Sequence, residues 1–341
     1  MCRHSGDNYI NYPHLRRGIG PPANSPKQEH LKPAEEQLTL KKVSGIYAAV
    51  LTPRLPDDNI DVTALDHLIT FLLSKGISSF AMNGATGEFC LTTPRHLHII
   101  LSTVQKASRG KAKILCGVGA PGSALAIELA AIAQQEGAEG LLLPMPCFFP
   151  YQQEDLDLYC RAVAAGTELP VMLYNLPQFT SGLSKETVRS LITEVPNIIG
   201  IKDSSGSLDI LRDLTEHDVD ACRIVGNDSV LSQALIEGVC DGVVSGVASA
   251  VPELIRDLYA HRGQADSDDF RRTSRLLDEF IVQLSPFPTP WGLKWIVEAR
   301  GVAPATFSQP VTAHRIAQGR QMATWFGEWF PSVAAGTPTP R

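Results

Sequence analysis

From Ile46 to about His261 one pattern recurs eight times: a short apolar run ending in turn residues, then a longer stretch with helical spacing. Nearly continuous apolar runs of this kind suit strands buried on both faces, as in a parallel sheet covered by crossover helices. The predicted strands are 46–51, 77–82, 113–117, 140–145, 170–174, 198–202, 223–226 and 241–245. Helical patterns lie between and after them near 62–75, 93–108, 123–135, 153–166, 184–194, 207–215, 229–237 and 252–261. Eight strands, each followed by a helix, is the count that closes a barrel, so the expected fold is a (β/α)8 TIM barrel with additional C-terminal helices. An open doubly wound sheet is the rival, but no G-x-G-x-x-G turn follows the first strand.

This pattern sets the domain limits. Residues 1–42 are rich in Pro, Gly, Asn and charge, lack a sustained apolar period, and read as a disordered N-terminal extension. Arg3, Arg16 and Arg17 with few early acids hint at a transit peptide, but the amphipathic spacing is missing, and a start codon placed too far upstream would look the same. The barrel is expected over 43–262, a helical region packed on its flank over 263–330, and a tail over 331–341. A 341-residue chain could hold two average domains, yet α/β barrels of about 250 residues are routinely one.

Composition removes several function classes. A net charge of −6 disfavours nucleic acid or an anionic membrane as the main partner. No apolar run approaches the roughly 20 residues that span a bilayer, and the first residues carry no signal-peptide stretch. Seven cysteines, an odd number with no C-x-x-C pair, suit reduced thiols in the cytoplasm better than a disulfide framework or a structural zinc site. His96 and His98 stand two apart on a predicted helix and so point to different faces, whereas helical metal pairs use i, i+4. A metal role for His96 and His98 is therefore not expected.

In such barrels the chemistry sits at the C-terminal strand ends and the loops beyond them. Lys202 ends the run Ile198-Ile199-Gly200-Ile201. It is either the partner of an acid such as Asp203 or Glu88, or a partly desolvated amine whose neutral form attacks a carbonyl. Tyr174 ends the preceding strand. Its ordinary role is packing, but beside a reactive lysine a phenol can shuttle protons. The turn Gly84-Ala85-Thr86-Gly87-Glu88 has glycines that admit close backbone approach, successive N–H groups that can cup a carboxylate, and the Thr86 hydroxyl. It lacks a P-loop lysine, which argues against nucleotide binding.

Together, Gly84-Ala85-Thr86-Gly87-Glu88, Tyr174-Asn175-Leu176-Pro177 and Gly200-Ile201-Lys202-Asp203-Ser204-Ser205-Gly206 resemble the dihydrodipicolinate synthase / N-acetylneuraminate lyase family of class I aldolases. The spacing agrees, with 89 residues from Ala85 to Tyr174 and 28 from Tyr174 to Lys202, and the resemblance runs over about residues 44–330. It implies a homotetrameric, cofactor-free lyase that joins or separates a 2-keto acid, typically pyruvate, and an aldehyde. Lys202 falls on the Schiff-base lysine, Tyr174 on the proton-transfer tyrosine, and Thr86 on the hydroxyl residue that holds the keto-acid carboxylate. Ala85 and Gly84 belong to the same turn. Val244 falls where a backbone carbonyl faces the keto acid, and the turn Gly226-Asn227-Asp228 resembles one that faces the distal part of the substrate in the sugar-acid lyases.

Three departures bear on the substrate. Ala85 stands where the family turn usually has Thr or Ser, so one relay hydroxyl is missing. Phe148 takes the place of a tyrosine that reaches across a subunit interface in the synthases. Phe179 stands where they carry an arginine, five residues after the tyrosine. The expected activity is therefore cleavage or formation of a 2-keto-3-deoxy sugar acid or a 4-hydroxy-2-keto acid. The alternatives are 4-hydroxy-tetrahydrodipicolinate synthase itself and a hydratase-aldolase of aromatic pyruvates, which Phe148 and Phe179 would suit. A barrel that binds ligand without catalysis would not need both Lys202 and Tyr174. Cys147, in the predicted mouth, reads as packing rather than as a reactive thiol.

Overall fold

The computed structural model describes residues 42–334. In chain order the strands are β1 (Gly45–Ala49), β2 (Ser79–Met82), β3 (Lys113–Gly117), β4 (Gly140–Pro144), β5 (Val171–Asn175), β6 (Ile198–Asp203), β7 (Cys222–Val225) and β8 (Gly242–Ser245). All pair in parallel, each with its sequence neighbour, and β1 pairs with β8 to close the barrel. Between them run α1 (Val62–Ser74), α2 (Pro94–Ser108), α3 (Ser123–Gln135), α4 (Gln153–Ala165), α5 (Lys185–Glu194), α6 (Asp209–Glu216) and α7 (Leu231–Glu237). The expected order of strands and helices is the observed one. Local chemistry places several helix starts: Thr93 accepts from the His96 amide with Pro94 at the first helical position, and Ser184 accepts from Thr187.

After β8 the chain forms a short helix absent from the sequence pattern, α8 (Val247–Ala250), then α9 (Pro252–Ala260), α10 (Asp268–Leu284), α11 (Trp291–Ala299) and α12 (Ala313–Ala334). The last three pack on the barrel flank, α10 and α12 against α9 and α11 against α8. Phe280 of α10 stacks on Trp329 of α12 at 5.3 Å between ring centroids, and Trp325 stacks on Trp329 at 5.0 Å. That aromatic cluster carries α12 through Ala334, so a tail beginning at 331 is corrected by four residues: Val333 is buried rather than solvated. The expectation for residues 1–42 lies, apart from Lys42, outside the described residues.

Two apolar cores result. One lies between the strands and the surrounding helices. The other fills the barrel itself, with Tyr47, Ala81, Leu115, Leu142, Met172, Ile224 and Val244 pointing inward. Strand β6 departs from simple alternation: Val171 pairs with Ile198, but Met172 pairs with Gly200, which leaves Ile199 as an extra residue. A one-residue slip exchanges the two faces of a strand. Ile199 belongs to the inner core and Ile201 to the outer one. The bulge thereby sets Lys202, rather than Ile201, opposite Tyr174. Glycine is what the bulge needs: a Cβ at Gly200 would lie 2.1 Å from the Cys222 carbonyl oxygen.

Candidate active site

The C-terminal ends of the strands surround a cavity of about 360 Å³. Lys202 and Tyr174, each 3 % exposed, are ladder partners at its base, and the Lys202 ammonium nitrogen sits 3.6 Å from the centre of the Tyr174 ring. The ion-pair reading of Lys202 is not what the structure has. Asp203 accepts from the Asn175 amide at 3.0 Å and from the Ser205 N–H at 2.9 Å, while Glu88 pairs with Lys294 at 2.6 Å. Among the described residues no carboxylate forms a salt bridge with Lys202. Burial pushes the Asp203 carboxyl up from its usual range, with those hydrogen bonds opposing it. Asn175 also accepts from the Leu183 N–H at 3.1 Å, so it braces the ends of β5 and β6 together.

Space for the lysine stem comes from Gly226 at the end of β7. A Cβ there would fall 2.9 Å from Cε and 3.0 Å from Cγ of Lys202. The sequence marks this glycine only as part of a turn; its position one strand over from a buried lysine is the signal of its role.

The turn after β2 forms the next wall. Ala85 and Thr86 line the cavity, and among the described residues their N–H groups donate to no protein acceptor. The turn is held from behind. Glu88 sits in the left-handed region (φ 57°), and its carboxylate meets Lys294 of α11, whose ammonium also donates to the Thr306 carbonyl at 2.8 Å. Burial lowers the Lys294 pKa, and the Glu88 charge pulls it back up. Gly84 lies in the turn but does not line the cavity; its carbonyl accepts from the Phe89 N–H at 3.2 Å.

Val244, Asn227 and Asp228 complete the strand-end set. Asn227, singled out from the sequence, spends its side-chain oxygen on Ser229. Asp228, next to it in the same turn, is the residue with a free acceptor atom. Its Oδ2 accepts from the Val247 N–H at 3.1 Å, while its shielded Oδ1 has no partner among the described residues. Burial pushes this carboxyl up from the usual range, with Ser245, the amides of residues 246–247 and the Lys202 charge opposing. Phe179 lines the cavity, whereas Phe148 is 87 % exposed outside it and stacks edge-on with Phe149. Cys147 forms an isolated β-bridge with Thr180. The outer wall comes from the C-terminal helices, through Ile281, Leu284, Phe287 and Leu293, which no local pattern had assigned to the site. Among the described residues no three His, Cys, Asp or Glu side chains gather to hold a metal ion, and no helix is long and apolar enough to cross a membrane.

Residues 42–324 match the model of the dihydrodipicolinate synthetase family. The chain belongs to that family. Its relatives within it include the 4-hydroxy-tetrahydrodipicolinate synthase of Laribacter hongkongensis, 31 % identical over 79 % of this chain and 93 % of that protein. The enzyme of the same name from Azoarcus sp. is also 31 % identical, over 79 % of this chain and 92 % of its own length. Among solved structures, the chloride-inhibited dihydrodipicolinate synthase of Acinetobacter baumannii complexed with pyruvate matches with a TM-score of 0.76 at 25 % identity, covering 83 % of this chain and 98 % of its own. N-acetylneuraminate lyase from Mycoplasma synoviae shares the fold, with a TM-score of 0.76 at 19 % identity over 86 % of this chain and 99 % of that one. As a member of the dihydrodipicolinate synthetase family the protein is an enzyme, a lyase of the aldolase type.

Proposed function

We propose that the protein joins pyruvate to an aldehyde, or separates the two, through a Schiff base on Lys202. The observation that carries this is a buried lysine with no ion pair among the described residues, packed on Tyr174 in a cavity also lined by Ala85 and Thr86 with their open amides. The keto-acid carboxylate accepts from the N–H groups of Ala85 and Thr86 and from the Thr86 hydroxyl. The neutral Lys202 amine then attacks the C2 carbonyl, Tyr174 moves protons to the departing hydroxyl, and water leaves as the iminium forms. The iminium draws electrons from the adjacent carbon. C3 can then lose a proton to give an enamine that attacks an aldehyde, or a C3–C4 bond can break in the reverse direction. The Val244 carbonyl faces the bound keto acid. The pyruvate complex of the Acinetobacter baumannii relative supports the choice of keto acid.

In this reading no metal or organic cofactor takes part, and the substrates are 2-keto-3-deoxy sugar acids or 4-hydroxy-2-keto acids that release pyruvate. The working form is a cytoplasmic homotetramer, in keeping with the free thiols at Cys90, Cys116, Cys147, Cys160, Cys222 and Cys240 and with the exposed Phe148–Phe149 pair. A second reading, 4-hydroxy-tetrahydrodipicolinate synthase, is favoured by the names of the relatives. Borohydride reduction in the presence of pyruvate tests the chemistry common to both. One reduced pyruvyl group should appear on the peptide containing Lys202 and vanish in Lys202→Ala. Trapping that survives that substitution, or fails with every keto acid, sinks the proposal.

A further inference from the structure

Behind the 84–88 turn two buried cations meet one acid, and none of the three, Arg54, Lys294 and Glu88, lines the cavity. Lys294 pairs with Glu88 and donates to the Thr306 carbonyl. Arg54, which follows β1, is 2 % exposed, and its main-chain N–H donates to the Thr306 hydroxyl at 3.2 Å. Its guanidinium donates to the Asp58 carbonyl at 3.0 Å and to the Thr92 hydroxyl at 3.3 Å, while its shielded Nε has no partner among the described residues. Thr92 closes the single helical turn Phe89–Leu91 that follows Glu88, its N–H donating to the Phe89 carbonyl at 3.0 Å. Arg54 is thereby tied to the same short segment that carries the open amides of Ala85 and Thr86. That segment also packs on the end of β1, where a Cβ at Gly87 would stand 3.1 Å from the Thr52 hydroxyl.

Among the described residues no carboxylate forms an ion pair with Arg54: Asp58 is exposed and gives it only a main-chain carbonyl. Burial lowers the Arg54 pKa and the Glu88 charge opposes that, but a guanidinium stays protonated through such a shift. The nearby Cys90 thiol is pushed up by burial and is neutral. The network therefore buries one positive charge in excess, which costs free energy unless an anion comes close. We infer that Arg54 is a positioning residue for the keto-acid carboxylate: its unpaired charge, held behind the 84–88 turn, strengthens the hold of the Ala85 and Thr86 amides on an anion. This rests on the reading in which that turn holds the carboxylate, and deepens it. Away from water such an interaction is damped far less than at the surface.

The experiment uses the full-length enzyme and two ligands of nearly the same shape: pyruvate, an anion, and pyruvamide, which is neutral. Borohydride trapping on Lys202 over a range of ligand concentrations gives the half-saturating concentration of each. In the wild-type enzyme it should be at least about tenfold lower for pyruvate. Arg54→Met should raise it at least about tenfold for pyruvate but less than about threefold for pyruvamide. Arg54→Lys, which keeps the charge, should stay within about threefold of wild type for both ligands. Arg54→Gln, neutral yet able to donate to Asp58 or Thr92, should behave as Arg54→Met does and carries the test if Arg54→Met does not fold. Equal losses for the two ligands would make Arg54 a purely structural residue and overturn the inference. Pyruvate binding that survives loss of the charge, or Arg54→Lys as poor as Arg54→Met, overturns it too, and so does a wild-type enzyme with no preference for pyruvate. In each of these cases the Schiff-base reading stands. Trapping of neither ligand removes the reading beneath, and the inference falls with it.

Discussion

Replacing Lys294 by methionine tests whether the turn at residues 84–88, proposed to hold the keto-acid carboxylate, is held in place from α11. The two partners are almost shielded from water, with side chains 5 % and 11 % exposed, and their atoms are 2.6 Å apart. Methionine keeps much of the stem's packing but leaves the Glu88 carboxylate without its cation. Removing one member of a buried pair costs about 3–5 kcal/mol, mostly the penalty of a stranded charge. Glu88 also holds a left-handed backbone (φ 57°), a conformation worth about 1–3 kcal/mol of local strain that its surroundings must outweigh. A loss near 3 kcal/mol is therefore expected, or roughly 5 °C in Tm at fixed protein concentration. Adding Glu88→Gln removes the stranded charge, so Lys294→Met/Glu88→Gln should recover most of that loss. Ala85 and Thr86 sit on the same turn, so KM for pyruvate should rise in Lys294→Met by far more than kcat falls. Thermal unfolding and steady-state kinetics on the same preparations decide the matter. A single variant within about 1 kcal/mol of wild type and with unchanged KM refutes the argument. So does a double variant no more stable than the single one.

Tyr174→Phe should lower kcat by roughly 10²–10⁴-fold with little change in Tm, because the ring that packs on Lys202 remains; a loss of only a few-fold would make Tyr174 a packing residue. Gly200→Ala forces a Cβ against the Cys222 backbone, so destabilisation at or above the top of the usual 1–3 kcal/mol range is expected, with pyruvate trapping lost in whatever folds; a stable variant that still traps would show that the bulge does not orient Lys202. Burial alone would push the Glu253 carboxyl up, but Arg300 at 2.7 Å and Lys75 at 3.0 Å hold it below the ordinary range. Its stabilising contribution is therefore present above the unfolded pKa of about 4.3 and is lost as pH falls through the lower folded value. The stability gap between wild type and Glu253→Gln should accordingly be full at neutral pH and narrow in acid; a gap that widens in acid reverses the sign.

Period and punctuation were enough to place each strand of the barrel within about two residues at either end, since the alternation of apolar runs and helical stretches is a local property. Strand order then followed, because in a closed parallel barrel each strand lies beside the next in sequence. With strand ends known, Lys202, Tyr174 and the 84–88 turn were legible as neighbours, and Lys202 and Tyr174 are ladder partners. Other features resist a local reading. Asn227 and Asp228 are adjacent in one turn, and only their hydrogen bonds tell which keeps a free acceptor. Phe148 and Phe179 both follow strand ends, yet one is exposed outside the cavity and the other lines it.

The amino-acid sequence by itself determined the barrel, which residue types stand at its strand ends and the family, all of which rest on residue types at short, regular spacings. The tertiary structure alone decided which way Lys202 faces, through a one-residue bulge opposite β5 that no periodicity registers. It also decided that Glu88 serves Lys294 rather than Lys202, across 206 positions of chain. And it decided that α10 and α11 close the outer side of the cavity. Such contacts come from packing between distant surfaces, where the energy depends on shape and on the partners already in place rather than on neighbours along the chain.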